Sequence, residues 1–560
     1  MSEEIDLEDA APWVVLIITL IGGGLRVLLL ASKGMSSDET VSVWLASHSL
    51  SEMMQWILKI GQQPPLYYFL LHYWIELKGN TPYYVRLLSV FFGAGTIPII
   101  YLIGKRMAGA VVGLAAAVIL AASPFHIYFA QETSMYTLLT LNAAIAIYAL
   151  VRLLTDPRSS KPIGSQFREY LRAWRTPATV EPRSQGNFSY KDETRDQNRW
   201  GAQIFRHRWL PIQTIDIDLA WVAFIVFSVI TLLSHSTAAL FFLTTNIIVL
   251  GLMVFQRIRK TGAQPALQVP SFKNWVIAQI VILMLWIPWI IPYFKQPNAV
   301  WQSLLTPAPT WDAVLQTLGS FLSTLASIPA VTTGMWILYA LVFCLGLVYY
   351  RRKISHFLFL IALFAVPFLI ELVVSIWHPF FLDQTLIWTT IPLFLMLAVG
   401  VTQLKFRFLI FTVLGIICTI NMFSASDYFR FYQKEDWNTA ARDVAGLAEK
   451  DDLVLFNSNV GEIPFDYYFK PYADYYSLQV EEHGIPLDVY VSGIAEPKMT
   501  ANDIPGLASF LSGHNRVWLV YSQNSQTDPM GLIPQTLAAK MKLVKEDDFY
   551  GGKVQLYSAP

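Results

Sequence analysis

Long apolar segments separated by shorter polar ones fill the chain as far as Met422. A helix that crosses the hydrocarbon core of a bilayer needs about 20 predominantly apolar residues. By length and apolar character, the segments predicted to span are Trp13–Leu30, Val85–Ile103, Ala108–Ala122, Tyr136–Leu154, Leu219–Leu233, Ala238–Phe255, Trp275–Pro292, Met335–Tyr350, Phe357–Trp377, Leu386–Val401 and Phe408–Met422. The pattern therefore predicts a polytopic α-helical membrane protein with about 11 transmembrane helices.

Basic residues fall in alternate loops between these segments. If the N-terminus is cytoplasmic, the inside loops hold Lys105-Arg106, the Arg-rich stretch 152–208, Arg257 to Lys260, Arg351 to Lys353, and Lys405 with Arg407. The short outside loops 123–135, 234–237 and 378–385 contain no Lys or Arg. Because cytoplasmic loops carry the excess of Lys and Arg, this pattern predicts a cytoplasmic N-terminus.

Two longer outside loops interrupt the spans, at 31–84 and 294–334. Each contains an apolar stretch too short to span, Pro65–Ile75 and Val314–Leu325, and we expect these to be helices at the membrane surface. The cytoplasmic segment 155–217 is polar and Arg-rich, which is typical of a loosely ordered loop.

The pattern changes after Met422. Strand-length apolar runs at Leu453–Phe456, Val489–Val491, Arg516–Tyr521 and Val554–Tyr557 alternate with helical stretches at Trp437–Leu447, Ile504–Leu511 and Gln535–Met541. This alternation predicts a C-terminal α/β domain over residues 425–560, following a transmembrane domain over 1–424. By parity, the α/β domain is extracytoplasmic, and it has no Gly-rich phosphate fingerprint that would indicate a nucleotide.

Composition agrees with a membrane protein. Hydrophobic residues make up 54% of the chain and charged residues 14%, against about 25% charged in soluble domains. Lys and Arg together number 40 and balance 40 Asp and Glu, so the net charge gives no indication of a nucleic-acid partner. Cys344 and Cys418 both lie in apolar runs and predict neither a disulfide nor a zinc framework.

Polar residues that could carry chemistry concentrate on the predicted outer side. Asp38 and Glu39 follow the first span, Gln131 and Glu132 precede the fourth, and Arg26 and Glu371 lie in the outer halves of spans. Ionisable groups inside spans are costly and usually face a cavity or a partner. Two interpretations remain: the groups line one polar chamber, or Arg26 snorkels, Glu371 pairs for packing, and Asp38-Glu39 is a solvated loop pair.

Five motifs occur in order within the first quarter of the chain. They are Ser37-Asp38-Glu39, Gln63-Pro64-Pro65-Leu66-Tyr67-Tyr68, Val85-Arg86-Leu87-Leu88-Ser89, Ser123-Pro124-Phe125-His126-Ile127-Tyr128, and Gln131-Glu132 followed by Met135-Tyr136. This order resembles the membrane glycosyltransferases of the GT-C fold, in particular the family-39-like group related to protein O-mannosyltransferases and the lipid A aminoarabinose transferase. The resemblance implies transfer of a sugar from a polyprenyl-phosphate carrier to a lipid, protein or polysaccharide acceptor at the extracytoplasmic face.

The resemblance also implies residue roles. Asp38 matches the catalytic base, Glu39 its companion, and Glu132 the second acidic position. A base would take the acceptor proton while cations hold the donor phosphate, and direct attack would invert the anomeric centre. Among outward-facing cations, Arg86 is the first phosphate candidate because it matches a motif, followed by Arg26, Lys33 and Lys295. The predicted substrate pocket contains Gln131, Tyr136, His126, His235, Glu371 and Gln384.

No cofactor is required by this chemistry, although Asp38 and Glu132 could hold Mg or Mn. The chain departs from the pattern at Ser134 and Gln384, where many relatives have Arg, and at Gln63, where His is frequent. Either other cations replace the two arginines, or the donor differs, or the protein is a weakened or inactive member.

Three other function classes compete with the transferase. A lipid-linked-sugar transporter or flippase would place charges at the midplane and show internal repeats, neither of which is visible here. A noncatalytic membrane protein would use its outer α/β domain to bind a partner. A nucleotide-sugar enzyme could use Asp216-Ile217-Asp218, but this short motif lies on the predicted cytoplasmic side.

Overall fold

The computed structural model describes residues 7–60, 63–160, 212–258, 267–295, 309–322, 329–377, 381–488 and 498–560. The α-helices are α1 Leu7–Val27, α2 Ser37–Ala46, α3 Leu50–Ile60, α4 Leu66–Lys78, α5 Pro82–Ala108, α6 Ala110–Ala122, α7 Pro124–Ala130, α8 Tyr136–Thr155, α9 Ile212–Ser234, α10 Ala239–Ile258, α11 Phe272–Lys295, α12 Trp311–Phe321, α13 Pro329–Tyr350, α14 Ile354–Val374, α15 Thr390–Thr402, α16 Arg407–Phe431, α17 Trp437–Ala445, α18 Asn459–Tyr476, α19 Ile504–Leu511, α20 Asn524–Thr527 and α21 Leu532–Lys540. The strands are β1 Leu453–Phe456, β2 Glu481–Gly484, β3 Arg516–Ser522, β4 Lys542–Phe549 and β5 Gly552–Ser558.

The apolar segments form membrane-length helices. Within the described ranges, nine helices are long and apolar enough to cross a membrane, and a tenth results if α6 and α7, bent by 58°, count as one span. The described part of α9, Asp218–Ser234, is apolar but shorter. All the segments predicted to span lie mostly within these helices, so the prediction of a polytopic membrane protein is confirmed.

Two helices occupy the centre of the bundle. The segment Asp383–Thr402 is a 3-10 turn followed by α15, and 94% of its most apolar residues are buried. In α8 the corresponding share of buried residues is 78%. Outer helices expose large apolar side chains such as Leu20 and Phe411, as expected for residues that face lipid. At Gly400 in α15, an added Cβ would lie 1.9 Å from the carbonyl oxygen of Val342, so only glycine permits this approach of α13.

Short helices cover one end of the bundle. The predicted surface segment Pro65–Ile75 falls within α4, whose Tyr67, Tyr68 and Leu71 are buried, and the second predicted surface segment begins within α12. Much of the predicted loops 155–217 and 294–334 lies outside the described residues. Helix α2 packs with α3 and α4 around a cluster that includes Met35, Val41 and Ile463 of α18. The C-terminal part of the chain therefore contacts the helix that carries Asp38 and Glu39.

The C-terminal region contains a five-stranded sheet of order β2-β1-β3-β5-β4. Strands β2, β1 and β3 are parallel, whereas β5 pairs antiparallel with β3 and β4. Alternate residues of β1 face opposite sides, so Val454 and Phe456 join one buried cluster while Leu453 and Leu455 join another. Helices cover both faces, as the predicted α/β rhythm requires.

The structure of the C-terminal region contains more strands and helices than the sequence pattern predicted. Strands β1, β3 and β5 occur where they were predicted, and Val489–Val491 lies outside the described residues. Strands β2 and β4 were missed because they are edge strands rich in charged residues, and β4 exposes most of its side chains. Helix α18 was missed as well, since Pro464 and Pro471 interrupt its helical pattern. Helix α16 continues to Phe431, beyond the predicted domain boundary at residue 424.

Candidate active site

The first turn of α2 presents Asp38 and Glu39. Ser36 is the N-cap, its Oγ accepts the Glu39 N–H at 3.4 Å, and the Glu39 carboxylate accepts the Ser36 N–H at 3.1 Å. This reciprocal capping box fixes the start of the helix, and the helix N-terminus favours negative charge. Because neighbouring residues on a helix point about 100° apart, the two carboxylates face different surroundings.

Glu39 points into the protein and is 1% exposed. The Arg86 guanidinium forms a bidentate pair with the Glu39 carboxylate: Nε donates to Oε1 at 2.8 Å and Nη2 donates to Oε2 at 2.9 Å. Lys434 Nζ donates to Oε2 at 2.8 Å and the Thr133 backbone N–H to Oε1 at 2.9 Å. Burial alone would raise the pKa of Glu39, but the charges of Lys434 and Arg86 outweigh burial and hold that pKa far below its usual range.

Glu132 shares the lysine. Its Oε1 lies 2.6 Å from Lys434 Nζ, in an ion pair whose lysine side chain is only 2% exposed. Glu39, Glu132, Arg86 and Lys434 form a buried group of two acids and two bases, which we call the charge cluster. Burial and the charge of Glu39 raise the pKa of Glu132 to about 7, in spite of Lys434. Since Arg86 grips Glu39 directly, Glu132 is the first of the two carboxylates to take up a proton.

Asp38 lies on the other side of the same helical turn. Its side chain is exposed, and it makes no hydrogen bond or ion pair with any residue that the structure describes. The residue as a whole is exposed, but protein atoms surround its carboxyl group, and this burial, followed by the charges of Glu435 and Glu39, raises the pKa of Asp38. Tyr68 and Tyr136 lie near enough for the charge of Asp38 to act on them.

The donors of Arg86 are all bound within the protein. A guanidinium has five N–H donors. Two of them bind Glu39, and the others bind the carbonyl oxygens of Leu30 at 2.8 Å, Lys33 at 3.0 Å and Gly34 at 2.7 Å. The geometry therefore does not support Arg86 as a phosphate ligand; it fixes the chain that leads into α2.

Arg26 is also committed to the fold. It is fully buried, and its guanidinium donates to the carbonyl oxygens of Gly22 at 2.8 Å, Ala121 at 3.1 Å and Leu120 at 3.1 Å. The last two belong to the final turn of α6, whose carbonyl groups have no partner within the helix. Arg26 therefore caps a neighbouring helix, and this geometry does not support the predicted phosphate contact either.

Lys33 is the remaining described cation among the phosphate candidates. It is partly exposed, and its Nζ donates to the carbonyl oxygens of Tyr432 at 2.5 Å and Phe429 at 3.3 Å. Burial, followed by the charges of Lys434 and Arg86, lowers its pKa. Both partners are neutral carbonyl oxygens, which bind an ammonium group less strongly than a phosphate does. Lys295 ends α11, and its side chain lies outside the described part of the chain.

Three residues of the predicted substrate pocket hold the fold together. The Gln131 side-chain amide donates to two carbonyl oxygens at the C-terminal end of α1, those of Arg26 at 3.0 Å and Leu28 at 2.7 Å. His126 Nε2 lies 2.7 Å from the Thr390 hydroxyl of α15. His235 Nδ1 accepts the Thr237 N–H at 3.1 Å and caps a short 3-10 turn.

The other three residues of that pocket are connected. Glu371 is fully buried and accepts hydrogen bonds from the Thr385 hydroxyl at 2.5 Å and the Leu382 N–H at 3.3 Å. These bonds fix the 3-10 turn that carries Gln384, whose side chain lies beside that of Tyr136. Of the predicted pocket, Tyr136 and Gln384 are thus the residues that the structure brings towards Asp38.

Sequence reasoning missed Lys434 and Glu435. Lys434 completes the charge cluster, and the Glu435 carboxylate accepts hydrogen bonds from both the N–H and the hydroxyl of Ser37, at 3.0 and 2.5 Å. Both residues follow the last span on its predicted outer side. A lysine at that position is unusual under the positive-inside rule, and this was the signal available in the sequence.

The described residues do not fit the Mg or Mn ion predicted at Asp38 and Glu132. They contain no group of three His, Cys, Asp or Glu side chains placed to hold an ion. Lys434 Nζ lies against Glu132, one of the two predicted ligands, and a second cation beside it would be repelled. We therefore derive no step through a metal.

Comparison with known proteins identifies the architecture. Residues 62–165 match the family model for dolichyl-phosphate-mannose-protein mannosyltransferase, a range that contains Arg86 and Glu132. The structure of ArnT from Cupriavidus metallidurans in the apo state aligns over 98% of both chains with a TM-score of 0.57 and 11% identity. The fold is GT-C. The same enzyme bound to undecaprenyl phosphate aligns over 98% of both chains with a TM-score of 0.55 and 12% identity. No curated protein sequence matches the chain significantly.

The resemblance predicted from the motifs is therefore confirmed for the GT-C fold. The chain is an integral membrane protein of GT-C architecture, with a C-terminal sheet in the predicted α/β region.

Proposed function

We propose that this protein is a glycosyltransferase that moves a sugar from a polyprenyl-phosphate carrier to an acceptor hydroxyl, with Asp38 as the general base. The observation that carries the proposal is the contrast within one helical turn: Glu39 has its lone pairs occupied, while Asp38 is exposed and unpaired within the described chain. The GT-C fold and the ArnT structure solved with undecaprenyl phosphate support the same class of donor.

The reaction is a single displacement. Asp38 accepts the proton of the acceptor hydroxyl, and the acceptor oxygen forms a bond to the anomeric carbon on the face opposite the phosphate. The bond from that carbon to the phosphate oxygen breaks, its electron pair leaves with the polyprenyl phosphate, and the anomeric configuration inverts. A positioned base contributes about 10²–10⁴-fold to such a step.

The raised pKa of Asp38 suits this role. A carboxylate with an ordinary pKa is a weak base near neutral pH, and partial burial beside Glu435 and Glu39 makes Asp38 more basic. Lys33 is the described cation best placed to stabilise the departing phosphate, because its present partners are carbonyl oxygens. Glu39 and Glu132 act through the charge cluster as positioning residues.

The membrane orientation is part of the proposal. The distribution of Lys and Arg supports a cytoplasmic N-terminus, with the turn that carries Asp38 outside. The contact between α2 and α18 supports one common side for Asp38 and the C-terminal sheet.

A complementation experiment tests the function. Cells that lack the gene receive either the full wild-type chain or Asp38→Asn, and lipids and glycans are compared by mass spectrometry. Wild type should restore a sugar-modified product that Asp38→Asn does not restore at an equal membrane level, with turnover reduced about 10²-fold or more. Asp548→Asn, at a 78% exposed side chain in β4, is the matched control. Full restoration by Asp38→Asn would remove the base from the proposal.

A further inference from the structure

We propose that Lys434 and Glu435, in the segment that joins the last membrane helix to the C-terminal sheet, are positioning residues for Asp38. In this arrangement the C-terminal region holds the first turn of α2 in place, so the site is complete only while that region is docked. The inference deepens the proposed function and rests on it for the role of Asp38.

Contacts from the C-terminal region alternate along the segment around Asp38. The Met35 N–H donates to the Tyr468 hydroxyl of α18 at 2.9 Å. The Ser37 N–H donates to the Glu435 carboxylate at 3.0 Å, and the Glu39 carboxylate accepts from Lys434 at 2.8 Å. These three contacts lie at residues 35, 37 and 39, so the neighbours of Asp38 on both sides are fixed while its own side chain stays unpaired.

The two backbones also approach closely. At Gly34, an added Cβ would lie 3.0 Å from the carbonyl oxygen of Glu435. Lys33 extends the contact because its Nζ donates to the carbonyl oxygens of Phe429 and Tyr432. The segment 33–39 therefore lies along residues 429–435 over its length, and the contact does not depend on a single ion pair.

The joining segment is itself anchored to the C-terminal sheet. The Asp436 N–H donates to the carbonyl oxygen of Tyr550, in the turn between β4 and β5, at 2.8 Å. Trp437 is 1% exposed, packs against Phe549, and donates from Nε1 to the Glu435 carboxylate at 2.9 Å. A displacement of the sheet would therefore carry Lys434 and Glu435 away from α2.

Lys434 joins the two carboxylates of the charge cluster, because its Nζ pairs with both Glu39 and Glu132. Without Lys434, Glu39 would keep only Arg86 as a cationic partner, and Glu132 would lose the ion pair that joins it to the cluster and would take up a proton. The Lys434 link between the loop of Glu132 and α2 would be lost, and the first turn of α2, with Asp38, would be held less firmly. Arginine at this position keeps the charge, so Lys434→Arg is the conservative variant.

Hydrogen exchange followed by mass spectrometry tests the inference on the full chain in detergent or nanodiscs. Lys434→Met and Glu435→Ala should speed exchange of the amides in residues 34–46 about 10-fold or more, and Lys434→Arg should restore slow exchange. Glu435→Ala removes the acceptor of the Ser37 amide directly and gives a result even if Lys434→Met does not fold. Lys545→Met and Glu449→Ala, which break surface ion pairs elsewhere in the C-terminal region, are the controls and should leave 34–46 unchanged.

Turnover is measured on the same variants by the complementation product. Faster exchange in 34–46 together with at least about 10-fold lower turnover, and recovery of both in Lys434→Arg, supports the inference. Unchanged exchange in Lys434→Met and Glu435→Ala overturns it, as does faster exchange with wild-type turnover. Failure of the proposed function is seen separately, as normal turnover in Asp38→Asn.

Discussion

The two sides of the first turn of α2 differ in every property that decides a carboxylate's role. On the inner side, Glu39 is gripped by Arg86 and Lys434, and its pKa is held low. On the other side, Asp38 is an exposed residue, has no hydrogen-bond or ion-pair partner in the described chain, and has a raised pKa. The comparison shows that adjacent acids divide the work: one holds the turn, and the other is available for proton transfer.

Residues far away in sequence create this difference. Arg86 lies 47 positions from Glu39, and Lys434 lies 395 positions away. The Asp-Glu pair alone therefore carries no information on which acid is paired; that depends on how α5 and the segment after α16 fold back onto α2.

The largest effect should come from removing the charge on the inner side. Glu39→Gln would leave Arg86 and Lys434 buried with Glu132 as their only carboxylate partner in the charge cluster. Breaking a buried pair in this way costs about 3–5 kcal/mol. We expect a clear drop in the apparent Tm of the purified protein, with Glu449→Gln, at the exposed Glu449–Arg516 pair, as the control. An unchanged Tm would mean that Glu39 does not hold the turn.

Arg26→Met separates the two roles considered for Arg26. The structure has it donating to the carbonyl oxygens of Leu120 and Ala121. Leu120 also accepts the Ser123 N–H, so the loss of Arg26 leaves the Ala121 oxygen without its donor, at a cost of about 1–3 kcal/mol. The apparent Tm should fall, while binding of undecaprenyl phosphate, measured by native mass spectrometry, should stay at the wild-type level. Weakened binding at an unchanged Tm would restore the phosphate role that the sequence predicted.

Glu132 should make stability depend on pH. Its folded pKa of about 7 lies above the usual value near 4.5, so the folded state binds the proton more tightly. Its contribution to the free energy of unfolding therefore falls as pH rises from about 4.5 to about 7, by at most about 1.4 kcal/mol per pH unit.

In Glu132→Gln this slope should disappear, because glutamine resembles the protonated acid at every pH. The check is the difference in apparent Tm between Glu132→Gln and wild type from pH 4.5 to 8. The difference should shift in favour of the variant as pH rises, and parallel curves would contradict the assignment.

The smallest effect should come from Lys33→Met on the outer side. Lys33 contacts neutral carbonyl oxygens and is partly exposed, so its loss should change stability little. If it holds the donor phosphate, affinity for undecaprenyl phosphate should fall about 10-fold, which corresponds to about 1.4 kcal/mol. Lys545→Met serves as the surface control, and equal affinity in both variants would exclude Lys33 from the donor site.

Much of the fold could be predicted from the sequence. Membrane helices are read from apolar length, which is a local property, and the predicted spans coincide with helices even where α6 and α7 bend. The edge strands β2 and β4 were not predicted, because strands rich in charged residues lack the alternation of apolar and polar positions from which strands are predicted.

The site was predicted less completely. The motifs selected Asp38, Glu39, Glu132 and Arg86, and three of these meet in the charge cluster. The sequence could not show that Glu39 is paired and Asp38 is not, because this difference depends on the long-range contacts of Lys434. The hydrogen bonds of Arg26 and Arg86 could not be predicted for the same reason: a sequence shows a cation but not the carbonyl oxygens that bind it.

The most direct test of the account measures turnover and apparent Tm side by side for Asp38→Asn and Glu39→Gln in the purified full chain. The donor is the polyprenyl-phosphate sugar identified by the complementation experiment. The account predicts that Asp38→Asn keeps the wild-type Tm and loses turnover about 10²-fold or more, whereas Glu39→Gln lowers the Tm. An Asp38→Asn protein that turns over normally, or a Glu39→Gln protein that is fully stable, would contradict the division of roles.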